Sequence, residues 1–138
     1  MYGEYEHSID AKGRMFLPAK FRQELGERVY ITRGLDNCVC IYPVEEWNKF
    51  TEKLNTLPLT RARHVKRILC ASAVDVDVDC QGRVMVPLAL RNEANLGKTV
   101  IVIGVGEKAE IWNIENYKKY TESISDEEIE KDLIELGM

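Results

Sequence analysis

Hydrophobic and polar positions along the chain follow one pattern twice. Short alternating stretches at Tyr5–Ile9 and Arg14–Leu17 read as strands joined by a tight turn, and Val74–Val78 and Arg83–Val86 repeat them. A proline then opens a helical stretch, Pro18–Leu25 in the first copy and Pro87–Asn95 in the second, since proline is tolerated in a first helical turn. Two further strands rich in β-branched and aromatic residues follow, Arg28–Arg33 with Cys38–Tyr42 and Thr99–Ile103 with Ala109–Trp112. A second helix closes each copy, Val44–Leu54 or Ile114–Ile124. In the first of these, Val44, Trp47, Phe50 and Leu54 fall at helical spacing, as expected of a helix laid over a small sheet rather than a ligand-binding face.

Laid on itself, the chain shows that these are copies of one unit. Asp10-Ala11-Lys12-Gly13-Arg14 aligns with Asp79-Cys80-Gln81-Gly82-Arg83, Pro18 with Pro87 and Arg22 with Arg91. After one extra residue, Gly34 aligns with Gly104, Tyr42 with Trp112 and Trp47 with Tyr117. The fold class is α+β, two β-β-α-β-β-α repeats packed about a pseudo-twofold axis, because halves this small need to share a core. The divisions are a first repeat over 1–54, a basic linker helix over 55–72, a second repeat over 73–124 and an acidic tail over 125–138. Between the repeats, Arg61, Arg63, Lys66 and Arg67 stand among Val65, Ile68 and Leu69, a pattern that suits the solvated face of a connecting helix better than a phosphate-binding one. In the tail, Ser125 precedes Asp126-Glu127-Glu128 as the N-cap of a helix.

Charge alters the picture only once it is divided. The formal net charge is −4, but residues 122–138 hold seven acids against Lys131, a net of −6, which leaves residues 1–121 at +2. A local basic surface can therefore still attract phosphate. No apolar run approaches the roughly 20 residues of a membrane span, and Met1–His7 lacks the basic and apolar regions of a signal peptide. The expected location is cytoplasmic, where disulfides are rare. Cys38 and Cys40 are two apart, Cys70 and Cys80 are scattered and only His7 and His64 are at hand, which is not zinc-ligand spacing. The cysteines read as packing residues, with no metal and no cofactor. No nucleophile–base pair or phosphate-binding glycine loop stands out, so the chain reads as a non-enzyme without a small-molecule substrate.

The repeated Asp-x-x-Gly-Arg carries the most chemistry. Asp10 and Asp79 can accept from turn N–H groups, while Gly13 and Gly82 supply the left-handed residue of the turn. Arg14 and Arg83 then begin the returning strands. An arginine fork suits a carboxylate, a phosphate or the O6/N7 edge of guanine, so chemistry alone leaves open whether they pair with the aspartates or touch DNA.

Gly3-Glu4-Tyr5-Glu6-His7-Ser8-Ile9-Asp10-Ala11-Lys12-Gly13-Arg14, with Pro18, Phe21, Arg22 and the later Leu35-Asp36, Ile41-Tyr42-Pro43 and Trp47, resembles the first half of the MraZ family. Gln81-Gly82-Arg83, Pro87, Leu90-Arg91, Ile103-Gly104-Val105-Gly106 and Glu110-Ile111-Trp112 resemble its second half, so the likeness covers roughly residues 1–124. The resemblance implies an AbrB-like swapped-hairpin β-barrel made within one chain and flanked by helices, its units of the SpoVT-AbrB kind. It also implies a nucleoid-associated transcription regulator, a repressor assembled as a ring-shaped homo-oligomer on direct repeats of double-stranded DNA in the promoter of the division and cell-wall gene cluster. Carried over by position, Lys12, Arg14 and Arg83 are the DNA-binding residues, and Asp10, Gly13, Asp79 and Gly82 hold the turns. Cys80 stands where the family's second copy often has lysine and Gln81 where the first repeat has Lys12, so Arg14 is expected to matter more than Arg83. The alternative is an AbrB-like antitoxin or transition-state regulator that acts through a protein partner.

Overall fold

The computed structural model describes all 138 residues. In the first repeat β1 (Tyr2–Ser8), β2 (Arg14–Phe16), α1 (Ala19–Leu25), β3 (Arg28–Arg33), β4 (Val39–Pro43) and α2 (Val44–Leu54) follow one another. Helix α3 (Leu59–Ile68) and a 3-10 turn at Cys70–Ser72 lead to β5 (Val74–Asp77), β6 (Arg83–Met85), α4 (Leu88–Glu93), β7 (Thr99–Val105), β8 (Ala109–Asn113) and α5 (Ile114–Ser123), and α6 (Asp126–Glu135) ends the chain. Each of the four prolines immediately precedes a helix, Pro18, Pro43, Pro58 and Pro87, so the helices start one residue after the proline. Fixed φ and a missing N–H make proline a natural entry residue.

Strand pairing crosses between the repeats. The six-stranded antiparallel sheet runs β1-β7-β8-β4-β3-β5, and β2 pairs with β6 in a separate two-stranded ribbon. Exchanging the repeats turns this order into its own reverse, which is the signature of an internal twofold. Strand β1 lies on β7 over Tyr2–Ser8 and β5 lies on β3 over Val74–Asp77, so each repeat completes its sheet with a strand of the other. Within the first repeat only the bridge Ile9↔Met15 joins the flanks of the Asp10 turn. The six-stranded sheet ends at β1 and β5 and is not closed.

One core of eighteen buried residues draws on both repeats, among them Met15, Leu17, Phe21, Val29, Ile31 and Ile41 from the first and Val84, Val86, Val100, Val102 and Ile111 from the second. A smaller cluster occupies the other face of the sheet, where Cys38, Cys40, Tyr42, Trp47, Ile103 and Trp112 are buried under α2 and α5. Strand β4 is buried along its whole length, because Val39 and Ile41 face the main core while Cys38, Cys40 and Tyr42 face the second cluster. The aromatic stripe of α2 does cover the sheet: Trp47 stacks on Tyr30 at 5.2 Å and meets Tyr42 edge-on at 5.4 Å.

Helix α3 buries only Ala62 and leaves Arg61, Arg63, Lys66 and Arg67 exposed and free of ion pairs. At α6, the Ser125 hydroxyl accepts from the Glu128 N–H at 3.2 Å in a capping box, and Ile129, Leu133 and Leu136 remain exposed.

Candidate nucleic-acid interface

Both Asp-x-x-Gly-Arg turns close by the same bonds. The Gly13 N–H donates to the Asp10 carbonyl at 2.9 Å and the Asp10 N–H to the Arg14 carbonyl at 3.0 Å. Asp10 Oδ1 accepts from the N–H groups of Lys12 and Arg14, each at 2.9 Å, and Oδ2 accepts from Arg14 Nε at 2.8 Å. Asp79 does the same with Gln81, Arg83 and Arg83 Nε at 2.9, 2.8 and 2.8 Å. The backbone N–H of the arginine does most to hold each carboxyl below the usual aspartate range; desolvation opposes it, and the guanidinium and the N–H of Lys12 or Gln81 add to the lowering. Asp10 and Asp79 thus each accept three hydrogen bonds within their own turns.

Pairing with aspartate does not exhaust the arginines. Only Nε of Arg14 is hydrogen-bonded; Nη1 and Nη2 have no hydrogen-bond partner, and the side chain is part-exposed. Ribbon register then fixes which residues stand beside it. Arg14 lies opposite Met85, Phe16 opposite Arg83, and Met15 opposite Val84. Met15 and Val84 are buried, so alternation places Arg14, Phe16, Arg83 and Met85 together on the outer face. Phe16 and Met85 are about half exposed, at 47% and 52%. The two arginines differ: Arg83 lies over the Phe16 ring at 5.8 Å and its side chain is 24% exposed, against 37% for Arg14. Lys12 is exposed in the first turn; the second turn has Cys80 and Gln81, both exposed and uncharged.

The turns are supported from the opposite repeat. The Val86 N–H donates to the Gly13 carbonyl at 2.8 Å and the Leu17 N–H to the Gly82 carbonyl at 2.9 Å. Arg91 and Arg22 lie beneath these turns, with Nε bonded to the Val86 carbonyl at 2.9 Å and the Leu17 carbonyl at 3.2 Å. Internal alignment pairs Arg22 with Arg91, but only the exchanged strands show that each supports the other repeat's turn. Phe16 and Met85 were likewise invisible as surface residues until β2 was paired with β6.

Gly13 and Gly82 have φ of +86° and +83°, where any L-residue is strained by roughly 1–2 kcal/mol. A Cβ on Gly13 would also lie 2.8 Å from the Val86 carbonyl oxygen, whereas on Gly82 its three nearest atoms would all belong to the Arg22 side chain, at 2.5–2.8 Å. The carbonyl is backbone and already bonded; the arginine can swing away. Gly13→Ala is therefore expected to destabilise more than Gly82→Ala, with both at or above about 1 kcal/mol, as read by urea denaturation.

These features define a two-repeat α+β protein whose most distinctive surface is an arginine-bearing ribbon between two rigid turns. The chain belongs to the MraZ family: the family model described as "MraZ protein, putative antitoxin-like" matches residues 1–67 and again 69–135. It is 47% identical to the transcriptional regulator MraZ of Thermoanaerobacter sp. strain X514, covering 100% of this chain and 99% of that protein. It is 49% identical to the protein of that name from Caldanaerobacter subterraneus subsp. tengcongensis, over 96% of each chain. With the one from Syntrophomonas wolfei subsp. wolfei the identity is 46%, over 99% of this chain and 98% of the relative.

Proposed function

We propose that the chain is a sequence-specific DNA-binding transcription regulator, a repressor that binds direct repeats in the promoter of the division and cell-wall gene cluster as a ring-shaped homo-oligomer. Its place is then the cytoplasm, at the nucleoid. The observation that carries this reading is the outer face of the β2–β6 ribbon, with the Arg14 fork held by Asp10 but open at Nη1 and Nη2. A two-stranded ribbon fits the major groove, where an arginine can take O6 and N7 of guanine. Lys12 contacts phosphate, and Phe16 and Met85 offer apolar contacts to thymine methyls. Full-length relatives named as transcriptional regulators support the same role. The crossed pairing of β1 with β7 and β5 with β3 supports the swapped-hairpin reading of the fold. Nothing in this role needs a catalytic step.

One chain presents a small footprint, so affinity depends on repetition. Each engaged subunit raises the effective concentration of the next turn at the neighbouring repeat. Selection of binding sites from random duplexes at a stated salt concentration tests the proposal, because affinities depend steeply on salt. The expected product is guanine-containing direct repeats spaced near one helical turn, about 10–10.5 base pairs; enrichment of no sequence would contradict it. The antitoxin-like wording of the family description favours one further reading, a regulator acting through a toxin partner, which stable co-purification with such a partner would support.

A further inference from the structure

Outside the ribbon, register gathers a second set of reactive groups that spacing along the chain conceals. Cys38 enters β4 and Cys40 lies within it, two positions on, so both point to the helix-covered face. Strand β8 pairs with β4 so that Glu110 is directly opposite Cys40, and opposite residues of a sheet share a face. The two Sγ atoms and a Glu110 carboxylate oxygen all lie within 4.8 Å of one another. Trp112, two residues along β8, donates its Nε1–H to Glu110 Oε1 at 3.1 Å and orients the carboxylate. Gly34 forms the floor, where a Cβ would stand 2.5 Å from Cys38 Sγ and 2.7 Å from Cys40 Sγ.

We propose that Cys38, Cys40 and Glu110 form a binding site for a thiophilic divalent cation, for which Zn2+ is the best match. Zinc takes thiolate sulfur at about 2.3 Å and carboxylate oxygen at about 2.0–2.2 Å, so tetrahedral ligand atoms stand roughly 3.5–3.8 Å apart. The three groups reach that spacing by closing about 1 Å, within the travel of side-chain rotation. Binding releases the two thiol protons to solvent. Two thiolates and a carboxylate around Zn2+ carry a net single negative charge, and Lys108 supplies the balancing cation, held beside the site by its 3.4 Å bond to the Tyr42 hydroxyl. Cys40, Gly34 and Lys108 also line an open groove of about 750 Å3, which offers the ion an entry path. The ligands come from both repeats, so the ion would staple β4 to β8 and stabilise the fold by mass action.

Cobalt titration of the reduced full-length chain tests this, in a Cys70→Ser, Cys80→Ser background that removes the more accessible thiols. One Co2+ per chain is expected, with thiolate-to-cobalt charge-transfer absorption and the intense ligand-field bands of four-coordination, displaced by Zn2+. Cys38→Ser and Glu110→Gln are each expected to weaken binding at least about tenfold and to abolish the rise in melting temperature that Zn2+ gives the parent. Absence of the thiolate band in the parent overturns the proposal. So does equal Co2+ binding by folded Cys38→Ser and Glu110→Gln chains.

Discussion

Replacing Phe21 with alanine is expected to lower the free energy of unfolding by about 3–5 kcal/mol, the usual cost of emptying a buried aromatic site. Phe21 projects from α1 into the common core and is 1% exposed. Its ring meets Tyr5 edge-on at 5.4 Å and 85°, a contact worth roughly 0.5–1.5 kcal/mol beyond the buried area. Tyr5 lies on β1, the strand lent to β7 of the other repeat, so the cavity would open where the repeats are joined. Collapse around it is limited, since Leu17, Leu25 and Met15 are also almost fully buried. A fall of roughly 10–20 °C in the melting temperature should accompany the loss, as one transition, because both repeats share the core. Two separate transitions would show that the halves fold independently.

Replacing Arg14 with alanine is expected to leave the fold and assembly intact and to remove most of the operator affinity. One bidentate arginine–guanine contact discriminates by about 1–3 kcal/mol, roughly 5- to 150-fold, and in the proposed oligomer the loss would compound over each subunit engaged on DNA. Asp10 would still accept from the N–H groups of Lys12 and residue 14, so the turn keeps its shape. Arg83→Ala should cost less, within about tenfold, because Arg83 is tucked over Phe16 and its turn lacks a counterpart of Lys12. Gel shifts of both variants, with sizing of the oligomer, decide between loss of contact and loss of assembly. An Arg14→Ala assembly with normal affinity would remove the ribbon from recognition.

Much of this architecture was legible before any coordinates, for physical reasons. The Asp10 and Asp79 turns are local, the bonds that close them spanning at most four residues, so residue type and spacing define them. The helices announced themselves through prolines and apolar period, and β3 begins and ends where the β-branched run does. Strand β1 was legible only from Tyr5, because its first residues are largely exposed on a sheet edge and carry no buried alternation. Pairing partners were beyond reach of the local pattern. An Asp-x-x-Gly turn suggests that its flanking strands pair with each other, yet β1 goes to β7 and β2 to β6. That choice depends on which surfaces the two repeats bury together. For the same reason Glu110 did not declare itself as a neighbour of Cys38 and Cys40, and Arg22 and Arg91 did not declare themselves as supports of opposite turns.

The central claim, that the Arg14 fork reads guanine from the ribbon, is tested most directly by a double-mutant cycle at one fixed salt concentration. Wild-type and Arg14→Ala chains would be titrated against the selected site and against the same site with 7-deazaguanine in place of one guanine at a time. At one guanine per repeat, the loss of N7 should weaken the wild-type chain and cost the Arg14→Ala chain almost nothing more, a coupling well beyond additivity. Equal losses for both chains at every guanine would contradict it.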